Sequence, residues 1–381
     1  AVAGPTYPFR GGIACHTTLL CRHLARRHPV HLVSFRPRVL SRLFRQLDRR
    51  DPSRAPLRPE AEGLRCDYLL DPLNPMTWRQ AARNIWAQPP DALVLPWGPS
   101  LWAPAWTYLA IYARRCGTRV IFICHDVIPH DRLPGKSALA RLALRRADAF
   151  IIQTESQAHV LAQLLGRLPT AIRRLSHPRY DEWPAALPPR GQAREMLGLS
   201  QTEPVLLFFG LVRSYKGLAD LMIALARVRA ELPARLVVAG EFWEDIAVYR
   251  RLARNLGLDD AVVFHDFYVP DEEVPPLFAA ADVVVLPYRR ASQSGVVALA
   301  HGLGRPVIAT RVGGLPEMIA DGQIGLLVPP ADPDALAEAI LRFYREGLGP
   351  AFETALIDAT LQSSDGSGSW QSLVEAIEGL V

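Results

Sequence analysis

Two periods alternate along the chain. Short apolar runs rich in β-branched residues, VHLVSF (30–35), ALVLPW (92–97), VIFICH (120–125) and AFIIQT (149–154), are separated by stretches with helical spacing, such as 13–27 and 137–146. Runs apolar on both faces suit strands buried between layers, and their alternation with helices predicts a parallel α/β sheet. The pattern lapses at RYDEWPAALPPRGQ (179–192), which is Pro-rich and aperiodic, and then restarts. Runs at 205–210, 234–240, 262–267, 282–288, 306–310 and 325–330 alternate with helical patterns over 217–230, 244–256, 271–280 and 294–303. A second doubly wound sheet is expected there, with ligands beyond the carboxyl ends of its strands. Two such sheets joined by a linker make the cleft between them the default ligand site.

The expected organisation is therefore a first domain over 1–183, a linker over 184–200 and a second domain over 201–361. The stretch QSSDGSGS (362–369) has flexible-linker composition, and WQSLVEAIEGLV (370–381) reads as an amphipathic helix led by Trp370. The opening AVAGPTYPFRGG reads as the tail of a first strand whose beginning is absent.

Composition narrows the class. The chain has 381 residues, 49% of them hydrophobic. It has no secretory signal pattern and no apolar run of about 18 residues, so no membrane-spanning helix is expected. Five cysteines, odd in number and without a CxxC pair, argue against a disulfide framework or zinc site and for free thiols in a reducing cytoplasm. Charge is uneven: residues 1–190 carry 28 Lys and Arg against 13 Asp and Glu, and residues 191–381 carry 15 against 25. The basic half is suited to an acidic partner, a phosphate-bearing substrate or an anionic membrane. No nucleic-acid recognition motif accompanies it. Within it, RPRVLSRLFRQLDRR (36–50) sets five apolar residues at helical spacing among six arginines. That is a basic amphipathic segment of the kind that lies on anionic lipid, or a surface helix packing its stripe on the core.

The candidate chemistry lies mostly in the second half. In FFGLVRSYKG (208–217) a strand ends at Gly210, and Arg213 and Lys216 precede a helix. A strand-loop-helix with two cations suits a diphosphate. Lys216 is one of only two lysines, the other being Lys136. Keeping a lysine in so arginine-rich a chain points to a need for a compact point charge. In RRASQSGVVALAHGLGRPVIAT (289–310), Ser294 and Gly295 open a helix whose first N–H groups form an anion site; Ser294 alternatively serves only as the N-cap. RVGGLPE (311–317) starts a further helix at the same edge. No GxGxxG follows a strand and no GxxxxGK[ST] occurs, so dinucleotide dehydrogenases and P-loop enzymes lack their fingerprints. The stretch CHDVIPHD (124–131) raises a further reading, a metal-dependent hydrolase built on His125, Asp126, His130 and Asp131.

Taken together, PFRGGIACH, ICHDVIPH, RRADAFIIQTES, FGLVRSYKG, VVFHDFYVPDEEVPPLFAAADVVVLPY and GLGRPVIATRVGGLPEMIADGQIGLLVPPADPDALAEAI resemble, in this order and spacing, the retaining glycosyltransferases of family 4. The resemblance implies the GT-B fold, two Rossmann-like α/β domains facing a cleft. It implies a nucleotide-diphosphate sugar on the second domain and a glycan or lipid-linked acceptor on the first, with the final helix 370–381 packed back on the first. It implies no metal or other cofactor, and a role in polysaccharide, glycolipid or envelope glycan synthesis; with the free thiols and the basic segment 36–50, the expected place is cytoplasmic, peripheral on the inner face of the membrane. By position, Arg213 and Lys216 would neutralise the leaving diphosphate, and the N–H groups of Ser294 and Gly295 would hold its terminal phosphate. Gly11, Gly12 and Gly210 would let backbone approach the donor, and His125 would contact the sugar. Phe267 and Tyr268 would lie near the base. Arg10, His16 and His130 would face the acceptor. One departure is marked: the two glutamates the family spaces eight residues apart fall on Ala291 and Leu299, with Gln293 placed to take part of the first one's role. That departure motivates an alternative, a non-catalytic GT-B-like binding or regulatory subunit.

Overall fold

The computed structural model describes residues 1–36, 50–128, 135–180, 183, 186–361 and 368–381. Apart from its ends, Arg36 and Arg50, the basic segment 36–50 lies outside the described residues, and so do His130 and Asp131. The chain forms two compact units. The first comprises Ala1–Asp51, Leu57–Pro178 and Gly366–Val381; the second comprises Pro52–Pro56 and Arg179–Asp365.

The first unit is built on a parallel sheet of strands β1 (Val2–Ala3), β2 (Val30–Phe35), β3 (Leu64–Leu70), β4 (Ala92–Trp97), β5 (Arg119–Cys124), β6 (Ala149–Ile152) and β7 (Ile172–Arg174), in the order β3-β2-β1-β4-β5-β6-β7. The central strands are the apolar runs of the sequence, because only they are covered on both faces. The edge strand β3 reads LRCDYLL and is largely half-buried, which is why its polar residues hide it from a search for apolar runs. The core holds Trp97, Trp106 and Phe122 with almost no exposure. Phe35 stacks on Trp106, ring centroids 5.6 Å apart, and the Trp106 indole N–H donates to the Pro96 carbonyl at 2.9 Å. The closing helix Trp370–Glu378 belongs to this unit, with Trp370 buried and stacked 5.4 Å from His23.

The second unit carries a parallel sheet of β8 (Val205–Phe209), β9 (Arg235–Ala239), β10 (Val262–His265), β11 (Val283–Leu286), β12 (Val307–Thr310) and β13 (Gly325–Val328), in the order β10-β9-β8-β11-β12-β13. Helices Leu218–Val228 and Pro333–Arg345 pack against one another on it, and Phe208 and Phe278 fill its core.

Part of the stretch expected as linker is folded. Residues Arg190–Met196 form a helix, held in the second unit through Arg194, which is 3% exposed. Its guanidinium donates to the carbonyls of Ala280 (3.1 Å), Ser200 (3.1 Å) and Gln201 (2.8 Å) and to Asp282 Oδ1 (3.0 Å). Asp282 Oδ2 in turn accepts from the Val205 N–H (2.7 Å) and the Tyr344 hydroxyl (3.0 Å). A proline-rich sequence is thus ordered by one buried cation that answers several carbonyls and a carboxylate. Removing one partner of such a pair strands the other. Arg194→Ala is therefore expected to destabilise the protein by about 3–5 kcal/mol in denaturant unfolding, and a loss below about 1 kcal/mol would contradict this account.

Candidate functional site

In both sheets the chain starts on an inner strand, winds to one edge, returns and winds to the other. The reversals fall between β1 and β4 and between β8 and β11. Loops leaving neighbouring strands at a reversal diverge and open a crevice at the carboxyl edge.

In the second unit that edge is locked by two close approaches. Gly217, with φ of 71°, lies so near the Pro287 carbonyl that a Cβ would stand 2.0 Å from its oxygen. Gly313, with φ of 50°, approaches the Ala291 carbonyl in the same way. Arg289 adds a backbone bond from its N–H to Tyr215 O (2.7 Å) and a two-pronged ion pair with Asp220 (2.8 and 2.7 Å). The loops after β8, β11 and β12 are therefore fixed before any ligand arrives.

This frame presents two cations side by side. Lys216 Nζ lies 5.3 Å from the Tyr288 ring centroid, and the Arg213 guanidinium lies 3.9 Å over the Trp243 ring. Among the described residues, neither cation forms an ion pair. Burial, reinforced by Arg213, lowers the Lys216 pKa to about 8. Buried polar atoms at this edge that lack a hydrogen-bond partner include Arg213 Nε, Trp243 Nε1, the Tyr288 hydroxyl and Gln293 Oε1. Buried groups are normally satisfied, so a cluster of orphans marks where a ligand's polar atoms belong. Ser294 caps the helix Gly295–Gly302 by accepting from the Val297 N–H at 3.4 Å. The first-turn N–H groups of Gly295 and Val296 have no carbonyl inside the helix to answer, an arrangement suited to an anion. Leu299 is 5% exposed and packs inward, so no carboxylate is offered from that position.

Strand β10 lies two strands from β8, about 10 Å at ordinary strand spacing. Beyond its end opens a cavity of about 630 Å³, lined among others by Arg54, His265, Phe267, Pro270 and Leu277. Phe267 is 44% exposed at its rim. Arg54 reaches this wall because Pro52–Pro56 belongs to the second unit, not to the first as its place in 1–183 led us to expect. The Asp271 N–H donates to Ser53 Oγ (2.8 Å), and the Arg54 N–H to Glu272 Oε1 (3.0 Å). Two local hydrogen bonds between segments 218 positions apart leave no mark in a linear pattern.

In the first unit, Gly11 (φ 103°) and Gly12 open the helix Gly12–Ala25, exposed and with nothing near where a Cβ would stand. Arg10 precedes them, half-buried. His125 follows β5, its N–H donating to Trp97 O (3.1 Å) and its carbonyl accepting from Gln157 Nε2 (2.8 Å). Burial, then the nearby His177, brings its pKa down to about 3, so the ring is neutral at pH 7 and Nε2 has no partner. His16 corrects its expected role toward an acceptor. It is 1% exposed, enclosed by His125 (4.6 Å), His177 (5.3 Å) and Trp370 (5.1 Å) between ring centroids. It backs His125 from inside and offers no surface. Cys124 is fully buried on the opposite side of the strand, and burial holds Asp126 up to about 7. The described residues hold no group of three or more His, Cys, Asp or Glu arranged for a metal, and two of the four residues of that reading lie outside them.

Two family models match the chain: Glycosyl transferase 4-like domain over residues 11–178, and Glycosyl transferases group 1 over residues 203–346. The D-inositol 3-phosphate glycosyltransferase 1 of Catenulispora acidiphila is 34% identical over 288 residues, 70% of this chain and 67% of that protein. The D-inositol 3-phosphate glycosyltransferase of Thermobifida fusca is 31% identical over 258 residues, 65% and 57% of the two chains. The match thus spans between just over half and about two thirds of these relatives. Among solved structures, Anabaena HepE in complex with UDP superposes with a TM-score of 0.74 at 17% identity, over 99% of this chain and 98% of that one. Sucrose-phosphate synthase from Thermosynechococcus elongatus does so with a TM-score of 0.76 at 19% identity, over 100% and 97%. At these identities the structures share the fold.

An anion at the β8 edge stabilises the charged form of Lys216. The ammonium is present below about pH 8 and lost above it, so affinity for a nucleoside diphosphate such as UDP is expected to fall as pH rises through 8, by up to about tenfold per unit. Lys216→Ala should bind about tenfold more weakly at pH 7 and lose this dependence. Calorimetric titration from pH 7 to 9 checks both, and a flat wild-type profile would contradict the assignment.

Proposed function

Because the chain belongs to the group 1 glycosyltransferases, the retaining GT4 family with the GT-B fold, we propose that it moves a sugar from a nucleoside-diphosphate sugar to a hydroxyl of an anionic acceptor. The observation that carries this reading is the locked pair Arg213 and Lys216 beside a helix N-terminus, neither in an ion pair among the described residues. When the bond between the anomeric carbon and the phosphate oxygen breaks, negative charge gathers on the departing diphosphate. Fixed cations and N–H groups aimed at that oxygen stabilise the charge as it develops. The acceptor oxygen bonds to the anomeric carbon on the face the phosphate leaves. Its proton passes to the departing phosphate oxygen, which keeps the configuration and needs no protein nucleophile.

The remaining polar groups take matching roles. Gly210 and Gly295 give backbone access to the phosphates. The orphaned Gln293 Oε1 suits a sugar hydroxyl. Neutral His125, with an unpartnered Nε2, suits a hydrogen bond to the sugar rather than charge stabilisation. The cavity beside Phe267 has the volume and the exposed ring for a nucleobase. Its separation from the cation pair suits a diphosphate bridge. Anabaena HepE is described with UDP and with UDP-glucose, which makes a uridine donor the first to test.

For the acceptor, the basic first half supports a phosphate-bearing molecule. The relatives' name, D-inositol 3-phosphate glycosyltransferase, is consistent with one. The arginines of 36–50 suit an anionic lipid surface where a lipid-linked acceptor would be met. No described helix is long and apolar enough to cross a membrane.

Sugars of UDP, GDP and ADP, assayed against a phosphorylated cyclitol and a lipid-linked phosphate acceptor, test the proposal. Turnover with retained configuration is expected. His125→Ala should lower kcat about tenfold to a hundredfold while leaving nucleoside-diphosphate affinity near wild type. Binding without turnover on every pair would instead support the non-catalytic reading that Ala291 and Leu299 favour.

A further inference from the structure

Trp243 was given no part in the proposed reaction, yet its ring lies under the Arg213 guanidinium. Its place is tightly specified. The segment 241–244 runs along the loop after β8 as one extra parallel bridge, Val212 with Phe242. The Val212 N–H donates to Glu241 O (2.9 Å), and the Trp243 N–H returns to Val212 O (3.1 Å). The Ser214 N–H donates to Glu244 Oε1 (2.7 Å), while Glu244 Oε2 accepts from the Tyr249 hydroxyl (3.0 Å). On the far side, the Phe242 N–H donates to Asp266 Oδ1 (3.0 Å). The indole is thereby held against the loop that carries both cations, with the Arg213 guanidinium 3.9 Å above its ring. Its own Nε1, like Arg213 Nε, is buried without a partner.

We propose that Trp243 is a positioning residue for the diphosphate: its ring face holds the Arg213 guanidinium toward the leaving group, and its indole N–H donates to the same anion. The physical case follows from what an arginine needs at such a site. With no carboxylate beside it, a guanidinium on a three-methylene stem has many rotamers, and a ligand that captures it bears the cost of ordering them. Stacking on an indole fixes the plane of the fork without neutralising its charge. A carboxylate would fix the plane too, but would cancel the charge the reaction uses. The inference rests on the donor-site reading and deepens it by naming what orients one of its cations.

The test is a double-mutant cycle on the full chain, read by calorimetric affinity for UDP, GDP and ADP, with kcat and donor KM beside it. Trp243→Leu is expected to weaken the best-bound diphosphate about tenfold. Trp243→Phe, which keeps a ring face and loses the N–H, should weaken it about threefold. In an Arg213→Ala background, Trp243→Leu should cost no more than Trp243→Phe does, since only the N–H then remains to lose. A purely structural tryptophan would instead give the same loss with or without Arg213, and that additivity would overturn the inference. So would wild-type affinity in Trp243→Leu. A wild type that binds none of the three nucleotides would bring down the donor-site reading first, and this inference with it.

Discussion

The organising constraint is a pair of cations left without an anion at the edge of a parallel sheet. Holding Lys216 where protein shields it from water brings its pKa to about 8, and among the described residues no ion pair offsets that. Proteins seldom bury charge without a partner unless a ligand completes the site. The rest of the second unit can be read as the means of keeping this arrangement in place. The reversal of winding between β8 and β11 opens the crevice. Gly217 and Gly313 let carbonyls press against loops where no side chain fits. Arg289 ties the two loops through Asp220. The frame is therefore ready-made, and the diphosphate we propose for it would have little left to organise.

The first unit solves a different problem with similar materials. Three imidazoles, His16, His125 and His177, are packed together and held neutral by burial. A neutral ring at the end of β5 donates or accepts a hydrogen bond across the physiological range without titrating. Charge in this half lies elsewhere, in arginines spread along residues 1–190. Thus one unit concentrates a few cations at a fixed point, and the other spreads many over its length. The first pattern suits a diphosphate of defined shape, and the second an acidic partner of larger extent.

Much of this was legible in the sequence because it is written in local terms. The inner strands announce themselves as apolar runs, and Val30–Phe35 and Ala92–Trp97 match their runs residue for residue. The placement of Arg213, Lys216 and Ser294 between strand ends and helix starts was legible because strand, loop and helix follow one another in a few residues. Long-range placements were not. The helix Arg190–Met196 hides in a proline-rich stretch and is ordered through Arg194, which reaches the Ala280 carbonyl 86 positions on. Pro52–Pro56 joins the second unit through Asp271 and Glu272. Trp243 sits in EFWED, which has no motif, and matters only because the loop next to it carries Arg213. His16 looked available because a lone histidine near a glycine loop does; Trp370, hundreds of residues on, closes over it.

The most direct measurement of the central claim is an experimental structure of the full chain with a bound nucleoside diphosphate. The account predicts its terminal phosphate within hydrogen-bond reach of Lys216 Nζ, the Arg213 guanidinium and the N–H groups opening the helix Gly295–Gly302, with the base beside Phe267. A diphosphate bound away from the edge formed by β8 and β11, with Lys216 and Arg213 still untouched, would contradict it.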